Sequence, residues 1–561
     1  MTGLVTVLGS GAMTNNINGI VDGDVMLVIG SNTTETHPII GLRMLKAVRK
    51  GAKLIVADPR RIKLCDSSDV WMQQRPGTDG ALINAICHVI LREGLEDKQY
   101  IAERAENFEA FKESIAGCTP EWAETITQVP AADIEQAART FAKAERAGIY
   151  YTMGITQHTS GTDNVCSLAN LAVITGNLGK PGAGLNPLRG QNNVQGASDM
   201  GCNPTFFPGY QRCDDEAARE KFAEIWGTPV SDRPGLMATE MPDAIAAGTL
   251  AGMWIMGENP IISDPNSDHA RKAFEQLECL VVQDIFLTET AELADVVLPA
   301  GSFAEKEGTF TNTERKVQRV RRAVPPPGEA RDDLSIINMV SNRMLGNNKG
   351  GYQGSVDPIY HTVPPFAAEI FAESANCWQA MAGMSYERLE SESLAWPCPE
   401  PDHPGTPILH EGGFPRGKAW LSAITWNGPQ ELPDEEYPLI LTTGRVLYQY
   451  HTGSMTRRSP VLEESAPSAY VEMHPDDVAK LDLVDNEVVR ASSRRGTIQL
   501  PVRATDRVKS GLVFIPFHYR EAAANLLTND ALDPQCKIAE AKVCAIKIEK
   551  IEKEKAEITL N

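Results

Sequence analysis

The strongest constraint on this chain is an internal repeat. The run Leu27-Val-Ile-Gly30-Ser-Asn32 is echoed by Trp254-Ile-Met-Gly257-Glu-Asn259, in each case a short apolar segment closed by Gly-x-Asn. Downstream of each copy a second apolar run ends in an acid, Asp58 or Asp284, and a further aspartate follows, Asp69 or Asp295. The pairs Gly30/Gly257, Asn32/Asn259, Asp58/Asp284 and Asp69/Asp295 are 227, 227, 226 and 226 residues apart. Four matches in register predict two related nucleotide-type half-domains. In the first, Val25–Gly30 and Lys53–Ala57 have strand length, and Ile40, Met44, Ala47 and Val48 recur between them at helical spacing. Such a βαβ unit makes a parallel sheet whose ligand site lies beyond the strand C-termini. The pseudo-symmetry suits a ligand with two similar ends, or two copies of one ligand. Shared ancestry with one dead site is the alternative.

Between the two copies lies Thr175-Gly-Asn-Leu-Gly-Lys-Pro-Gly-Ala-Gly-Leu-Asn-Pro-Leu-Arg189-Gly-Gln-Asn-Asn-Val-Gln-Gly196, with six glycines and a set of side-chain amides. Glycine lets backbone N–H groups approach a ligand, and the amides and Arg189 offer donors to anions. A long surface loop is the plainer reading of the same composition. Upstream, a helix is expected from Ala81 to about Leu91, with Thr78 or Asp79 as its N-cap. Residues 97–147 read as a charged helical outer layer, Gly148–Gly154 as a strand, and Asp163 to Ile174 as a helix. Residues 325–430, rich in Pro, Gly and aromatics, read as irregular linking structure. Short strands separated by turns from Tyr437 onward predict a small β-barrel. The segment from Lys547 reads as a solvated charged tail.

Composition excludes several classes. With 42 % hydrophobic and 23 % charged residues the chain is ordinary and globular. A formal charge of −21 argues against nucleic acid as a partner. No apolar run approaches the roughly 18 residues of a membrane span, and the first residues lack a leader's basic region, so a cytoplasmic location is expected. The eleven cysteines include no two closer than eight positions. No metal site is therefore expected from cysteine spacing.

The Thr175–Gly196 stretch, with Gly9-Ser-Gly-Ala-Met-Thr-Asn15, resembles the alpha subunit of molybdenum formate dehydrogenases, which belong to the molybdopterin oxidoreductases. So do Gln283-Asp-Ile-Phe-Leu-Thr288 through Pro299, and Asn525-Leu-Leu-Thr528, Leu532-Asp-Pro534 and Lys542. The resemblance covers nearly the whole chain. It implies an α/β fold of two pseudo-symmetric parallel-sheet dinucleotide-binding domains (1–191 and 192–303). A linking region (304–430) would be a remnant of an N-terminal cluster domain, followed by a six-stranded molybdopterin dinucleotide-binding barrel (431–548) and a charged tail (549–561).

The implied cofactor is bis(molybdopterin guanine dinucleotide) with Mo or W. The first nucleotide would meet Gly30, Asn32, Glu35, Asp58, Arg60, Gly77 and Asp79. The second would meet Gly257, Asn259, Gln283, Asp284 and Thr288. Met153, Gly154, Gln157 and Gln191 would line the pterin region, and Arg445, His451, Ser454, Asn525 and Lys542 would reach in from the barrel. Arg189 is the implied catalytic residue, holding formate bidentately; His158 is expected to be a loop histidine. In the family a [4Fe–4S] cluster and a selenocysteine or cysteine metal ligand precede the point where this sequence begins, so both are expected on a missing N-terminal portion, past an in-frame UGA. Formate and CO2, and iron–sulfur or flavin electron-transfer subunits, are the implied partners. A nitrate reductase-like enzyme and a cofactor-free scaffold are the alternatives.

Overall fold

The computed structural model describes residues 1–344 and 366–551. Its first sheet comprises β1 (Val25–Ile29), β2 (Lys53–Ala57), β3 (Val70–Met72), β4 (Ala147–Tyr151) and β5 (Gly184–Pro187). They run parallel in the order β3-β2-β1-β4-β5. Every residue of β1 is buried because helices cover both faces. Ile40, Met44 and Ala47 of α1 (Pro38–Arg49) pack on Met26, Val28, Leu54 and Val56. On the other face, α2 (Asp79–Arg92) and α3 (Gly161–Ile174) cover Leu27, Ile29, Ile55 and Ala57. Burial on two faces is why these strands read as unbroken apolar runs. The glycine-rich stretch is not a surface loop: it supplies the edge strand β5 and is buried from Ala183 to Leu188.

The second sheet is smaller, with β6 (Gly252–Met256), β7 (Cys279–Asp284) and β8 (Val296–Pro299) parallel in the order β8-β7-β6. The repeat is visible in its hydrogen bonds. Gly30 N–H donates to the Ala57 carbonyl at 3.0 Å and Gly257 N–H to the Gln283 carbonyl at 2.9 Å. The Asp69 carboxylate accepts from Leu54 N–H at 2.9 Å, and that of Asp295 from Leu280 N–H at 2.7 Å. The second half-domain expected from residue 192 has its first strand only at Gly252. Residues 192–237 pack elsewhere, with Tyr210 edge-on to Trp378 at 5.8 Å and Gln211 Nε2 donating to the Cys377 carbonyl at 3.0 Å.

The linking region expected to be irregular contains an antiparallel sheet of β9 (Gly308–Thr311), β10 (Lys316–Val320) and β11 (Leu394–Ala395). Its own core includes Val317, Phe371, Met381, Leu394 and Trp396. Residues 345–365 of that region lie outside the described residues. The barrel is built from β12 (Leu439–Gly444), β13 (Val471–Met473), β14 (Val488–Ser492), β15 (Thr497–Ala504), β16 (Leu512–Pro516) and β17 (Cys544–Lys550). It closes in the order β12-β16-β13-β15-β14-β17. Strand β17 takes in the start of the expected tail: Ser492 faces Lys547 and Val489 faces Lys550 across the ladder. Alternation explains the misreading, since Ile546 and Ile548 point into the barrel while Lys547 and Glu549 point out. The tail beyond residue 551 lies outside the described residues.

The loops after β1 and β4 cross at the edge of the first sheet's binding crevice. Gly154 N–H donates to the Gly30 carbonyl at 3.1 Å and Thr152 Oγ1 donates to the same oxygen at 2.7 Å. Gly30 has φ +55°, and a Cβ there would lie 2.7 Å from Ile155 N; one on Gly154 would run into Gly30 backbone. Backbone pressed on backbone has no side chain to yield. Gly154→Ala is expected to destabilise the chain by about 1–3 kcal/mol, read as a lowered thermal unfolding midpoint, whereas an unchanged midpoint refutes the close packing.

Candidate functional site

The crossing loops form the floor of a cavity of about 210 Å³ between the first half-domain and the barrel. Thirteen residues singled out from sequence line it: Gly30, Asn32, Asp58, Arg60, Asp79, Met153, Gly154, Gln157, Gln191, Arg445, His451, Asn525 and Lys542. It lies where the strand order reverses between β1 and β4, the place a doubly wound sheet opens for ligands. Strand β12 delivers Thr442, Thr443 and Gly444 to its far wall, and Phe514 and Phe517 complete it.

Charge in the cavity is poorly solvated. Asp58 follows β2 and accepts from Arg60 N–H at 3.0 Å; burial raises its pKa to about 6. Asp79 opens α2 but caps nothing: Thr78 occupies the N-cap position with no side-chain cap bond, its hydroxyl turned to the Arg75 carbonyl. The Asp79 carboxylate instead accepts from Gln74 Nε2 at 3.1 Å, and burial raises it to about 6. Lys542 donates to the Thr443 carbonyl at 2.8 Å; burial, then Arg445, lowers it to about 7. No acid pairs with Arg445 among the described residues; its guanidinium lies 5.9 Å from the Tyr450 ring centre. His158 lies in the loop before α3, as expected, but is buried on the cavity wall, with Nε2 bonded to the Gly154 carbonyl at 2.9 Å.

Several predicted contacts are committed elsewhere. Arg60 grips Glu472 of β13 through two bonds, Nε–Oε2 at 2.6 Å and Nη2–Oε1 at 2.9 Å, with its guanidinium 3.8 Å from the Phe514 ring centre. Glu35 faces Arg507 at 3.7 Å, outside the cavity. Gly77, with φ +79°, packs under Pro429 and offers its carbonyl to Trp426 Nε1 at 3.1 Å. Ser454 pairs with Thr452 at 3.0 Å and does not reach the cavity. Asn525 ties the barrel to the second half-domain, donating to the Ile262 and Ser263 carbonyls at 2.9 Å each.

The second nucleotide set stands apart from this cavity. Gly257 has φ +63°, and Asp284 accepts from Ile285 N–H at 2.6 Å. Asn259 accepts from Thr290 Oγ1 at 2.8 Å and donates to Glu289 at 2.7 Å, so its amide holds its own loop. Thr288 accepts from Ala291 N–H at 3.3 Å and is buried. Gln283 donates to Asp333 at 2.7 Å while its Oε1 is buried without a partner.

Arg189 itself is not on the cavity wall, although Leu188 and Gly190 are. His37 Nε2 lies 2.6 Å from its carbonyl. Its Nη2 donates to the Gly11 carbonyl at 3.0 Å, and Gly11 packs on the Met1 side chain. Sequence reasoning missed His37, Phe514, Glu472 and the buried Asp199 behind Arg189. The Gly-x-Asn and strand-Asp patterns gave no signal for them: His37, Phe514 and Glu472 act across long sequence separations, and Asp199 reaches Arg189 only through Gln195.

Three orphaned polar atoms test whether these residues fit a nucleotide-bearing cofactor. Asn32 Nδ2 and His158 Nδ1 at the cavity, and Gln283 Oε1 in the second set, are buried and unpartnered. Together they offer the mixed donor and acceptor edges that a guanine or pterin presents. The crossing glycines leave backbone bare beside them. The residues fit.

Residues 6–343 match the molybdopterin oxidoreductase family model, and residues 439–545 that of the molydopterin dinucleotide binding domain. The fold is thus that of a molybdopterin-binding oxidoreductase, and the chain belongs to the molybdopterin oxidoreductase family. More particularly, it is 48 % identical over 553 residues to the F420-dependent formate dehydrogenase subunit alpha of Methanocaldococcus jannaschii, covering 98 % of this chain and 80 % of that one. It is 39 % identical over 563 residues to formate dehydrogenase H of Escherichia coli, covering 99 % and 77 %. Acetylene hydratase from Pelobacter acetylenicus shares the fold at a TM-score of 0.75 and 20 % identity, over 98 % of this chain and 80 % of that one.

Two outcomes follow from the geometry. Asn32→Ala is expected to leave stability within about 0.5 kcal/mol, because its Nδ2 bonds nothing, whereas Asn259→Ala should cost about 1–3 kcal/mol by freeing Thr290 and Glu289. Equal melting temperatures for the two variants contradict this. Asp58 and Asp79, raised to about 6, keep their protons in the folded chain after the unfolded chain has lost them near pH 3.8. Their contribution to stability therefore falls as pH rises from about 3.8 to 6 and stays low above it. Asp79→Asn is expected to flatten that fall and to stabilise the cofactor-free chain at pH 7 by about 1–3 kcal/mol, measured by melting temperature against pH.

Proposed function

We propose that the chain is the catalytic subunit of a formate dehydrogenase, running HCOO⁻ → CO2 + H⁺ + 2 e⁻ or its reverse. The observation that carries the reading is Arg189: a guanidinium whose Nε and Nη2 are held by two neutral oxygens, Gln195 Oε1 and the Gly11 carbonyl, so that its charge is not cancelled at these contacts. Formate has no other handle, and a planar fork matches it bidentately. Kinship with formate dehydrogenase alpha subunits supports the same substrate.

When bound, bis(molybdopterin guanine dinucleotide) with Mo or W would supply the two-electron acceptor. Gly30, Asn32, Asp58 and Asp79 would hold one nucleotide, and Gly257, Gln283 and Asp284 the other. Asp58 and Asp79 lack a cationic partner of their own at hydrogen-bond distance, which suits them to the N–H edge of a guanine or to ribose hydroxyls. Arg445 and Lys542 bring positive charge against phosphate from the barrel side. Arg60 is assigned to docking the barrel, through Glu472, rather than to the nucleotide. Arg189 fixes the direction of the C–H bond by holding the carboxylate end.

The reading extends to a [4Fe–4S] cluster and a selenocysteine or cysteine metal ligand, to iron–sulfur or flavin subunits that take the electrons, and to a cytoplasmic setting. The test is made on the protein purified with its cofactor. Metal analysis is expected to give one Mo or W, and acid release two guanine nucleotides, per chain. Arg189→Lys is expected to lower formate kcat/KM by about a hundredfold or more with metal content unchanged. Retained formate turnover in that variant, or turnover with nitrate alone, overturns the assignment.

A further inference from the structure

The Arg189 guanidinium is steered by a buried network that does not neutralise it. Its Nε donates to Gln195 Oε1 at 3.2 Å. Gln195 Nε2 in turn donates to Asp199 Oδ1 and to Tyr210 Oη, both at 2.8 Å. Tyr210 Oη donates to Asp199 Oδ1 at 2.6 Å, and Trp396 Nε1 to Asp199 Oδ2 at 2.9 Å. Gln195 and Asp199 have no exposed surface.

A carboxylate only accepts, so Asp199 dictates which end of the Gln195 amide faces it. The NH2 must turn to Asp199 and the carbonyl oxygen to Arg189. Two other donors, from Tyr210 and Trp396, hold Asp199 in place. The amide is therefore a spacer of fixed polarity between a buried anion and a guanidinium. A direct Asp–Arg pair would orient the fork equally well, but it would cancel its charge at contact.

We propose that Gln195, Asp199 and Tyr210 are positioning residues that fix the Arg189 fork for a one-carbon carboxylate while leaving its charge available, an inference that rests on the assignment of formate to Arg189.

The test measures the dissociation constant of ¹³C-formate by NMR line broadening on the cofactor-loaded protein, beside its melting temperature. Gln195→Glu is nearly isosteric and puts a carboxylate directly on Arg189. It is expected to weaken formate binding at least about tenfold and to lower the melting temperature, because the new carboxylate also faces Asp199 where the Nε2 donor was. Asp199→Asn removes the acceptor that orients the amide and is expected to weaken binding similarly. Should that variant not fold, Tyr210→Phe, which removes one donor to Asp199, provides the second reading, with a smaller loss. Arg189→Lys separates the two levels. If it binds formate as the parent does, the assignment of formate to Arg189 fails. If it loses formate while Gln195→Glu keeps the parent affinity, the positioning network alone is overturned.

Discussion

The contact on which the site's shape depends is the ion pair between Arg60 and Glu472, 412 residues apart in sequence. Arg60 follows β2 of the first half-domain and Glu472 sits within β13 of the barrel, so the pair sets how closely the two bodies approach. Both side chains are almost fully buried, and removing two charges from water costs several kcal/mol per ion. That cost is offset by two-point geometry, by the Phe514 face under the guanidinium, and by Arg507 as a second cation on Glu472 at 3.2 Å. Such a pair adds little net stability but tolerates only one docking geometry. Phe514 is also a cavity wall, so the residue that stacks on the clamp helps fix the width of the cleft.

Against that rigid frame the cavity keeps charges in an unfavourable state. Asp58 and Asp79 are raised and Lys542 is lowered, in each case first by burial. A protein selected only for stability would pair or remove these groups. Asp58 and Lys542 oppose each other's shift, yet neither is within hydrogen-bonding distance of the other. Partial compensation at a distance leaves both free for contacts from a third party, as expected where the preorganised binding of a polar ligand is the purpose.

Much of the fold was legible because its signals are local. The strand–Gly–x–Asn repeat translated into two parallel sheets with matching bonds at Gly30 and Gly257 and at Asp69 and Asp295. The candidate site was legible in part, since thirteen of the residues singled out meet in one cavity. The long-range partners of the remaining residues were not legible, for one reason. Sequence spacing places Arg60, Glu35 and Gly77 at strand ends and turns, but their partners Glu472, Arg507 and Pro429 come from far along the chain. Asp79 has cap chemistry and sits one position too late to use it. The stretch 304–430 hid a core because its aromatic residues pack across segments, with no helical or strand period to announce them.

The two half-domains also show what repetition preserves. Backbone geometry is kept: both glycines have positive φ, and both second aspartates brace the start of the strand that follows the Gly-x-Asn strand, β2 or β7. Side-chain use has diverged. Asn32 has a free amide nitrogen beside the cavity, while Asn259 is consumed by Thr290 and Glu289. The first sheet has five strands clad on both faces, whereas the second has three, with Trp254, Met256 and Val297 partly exposed. Shared backbone with divergent side chains would, on the proposed reading, let two similar ligand halves be cradled alike yet told apart. A centre between them would then meet two unlike sides, because Arg189 belongs to the first half-domain alone.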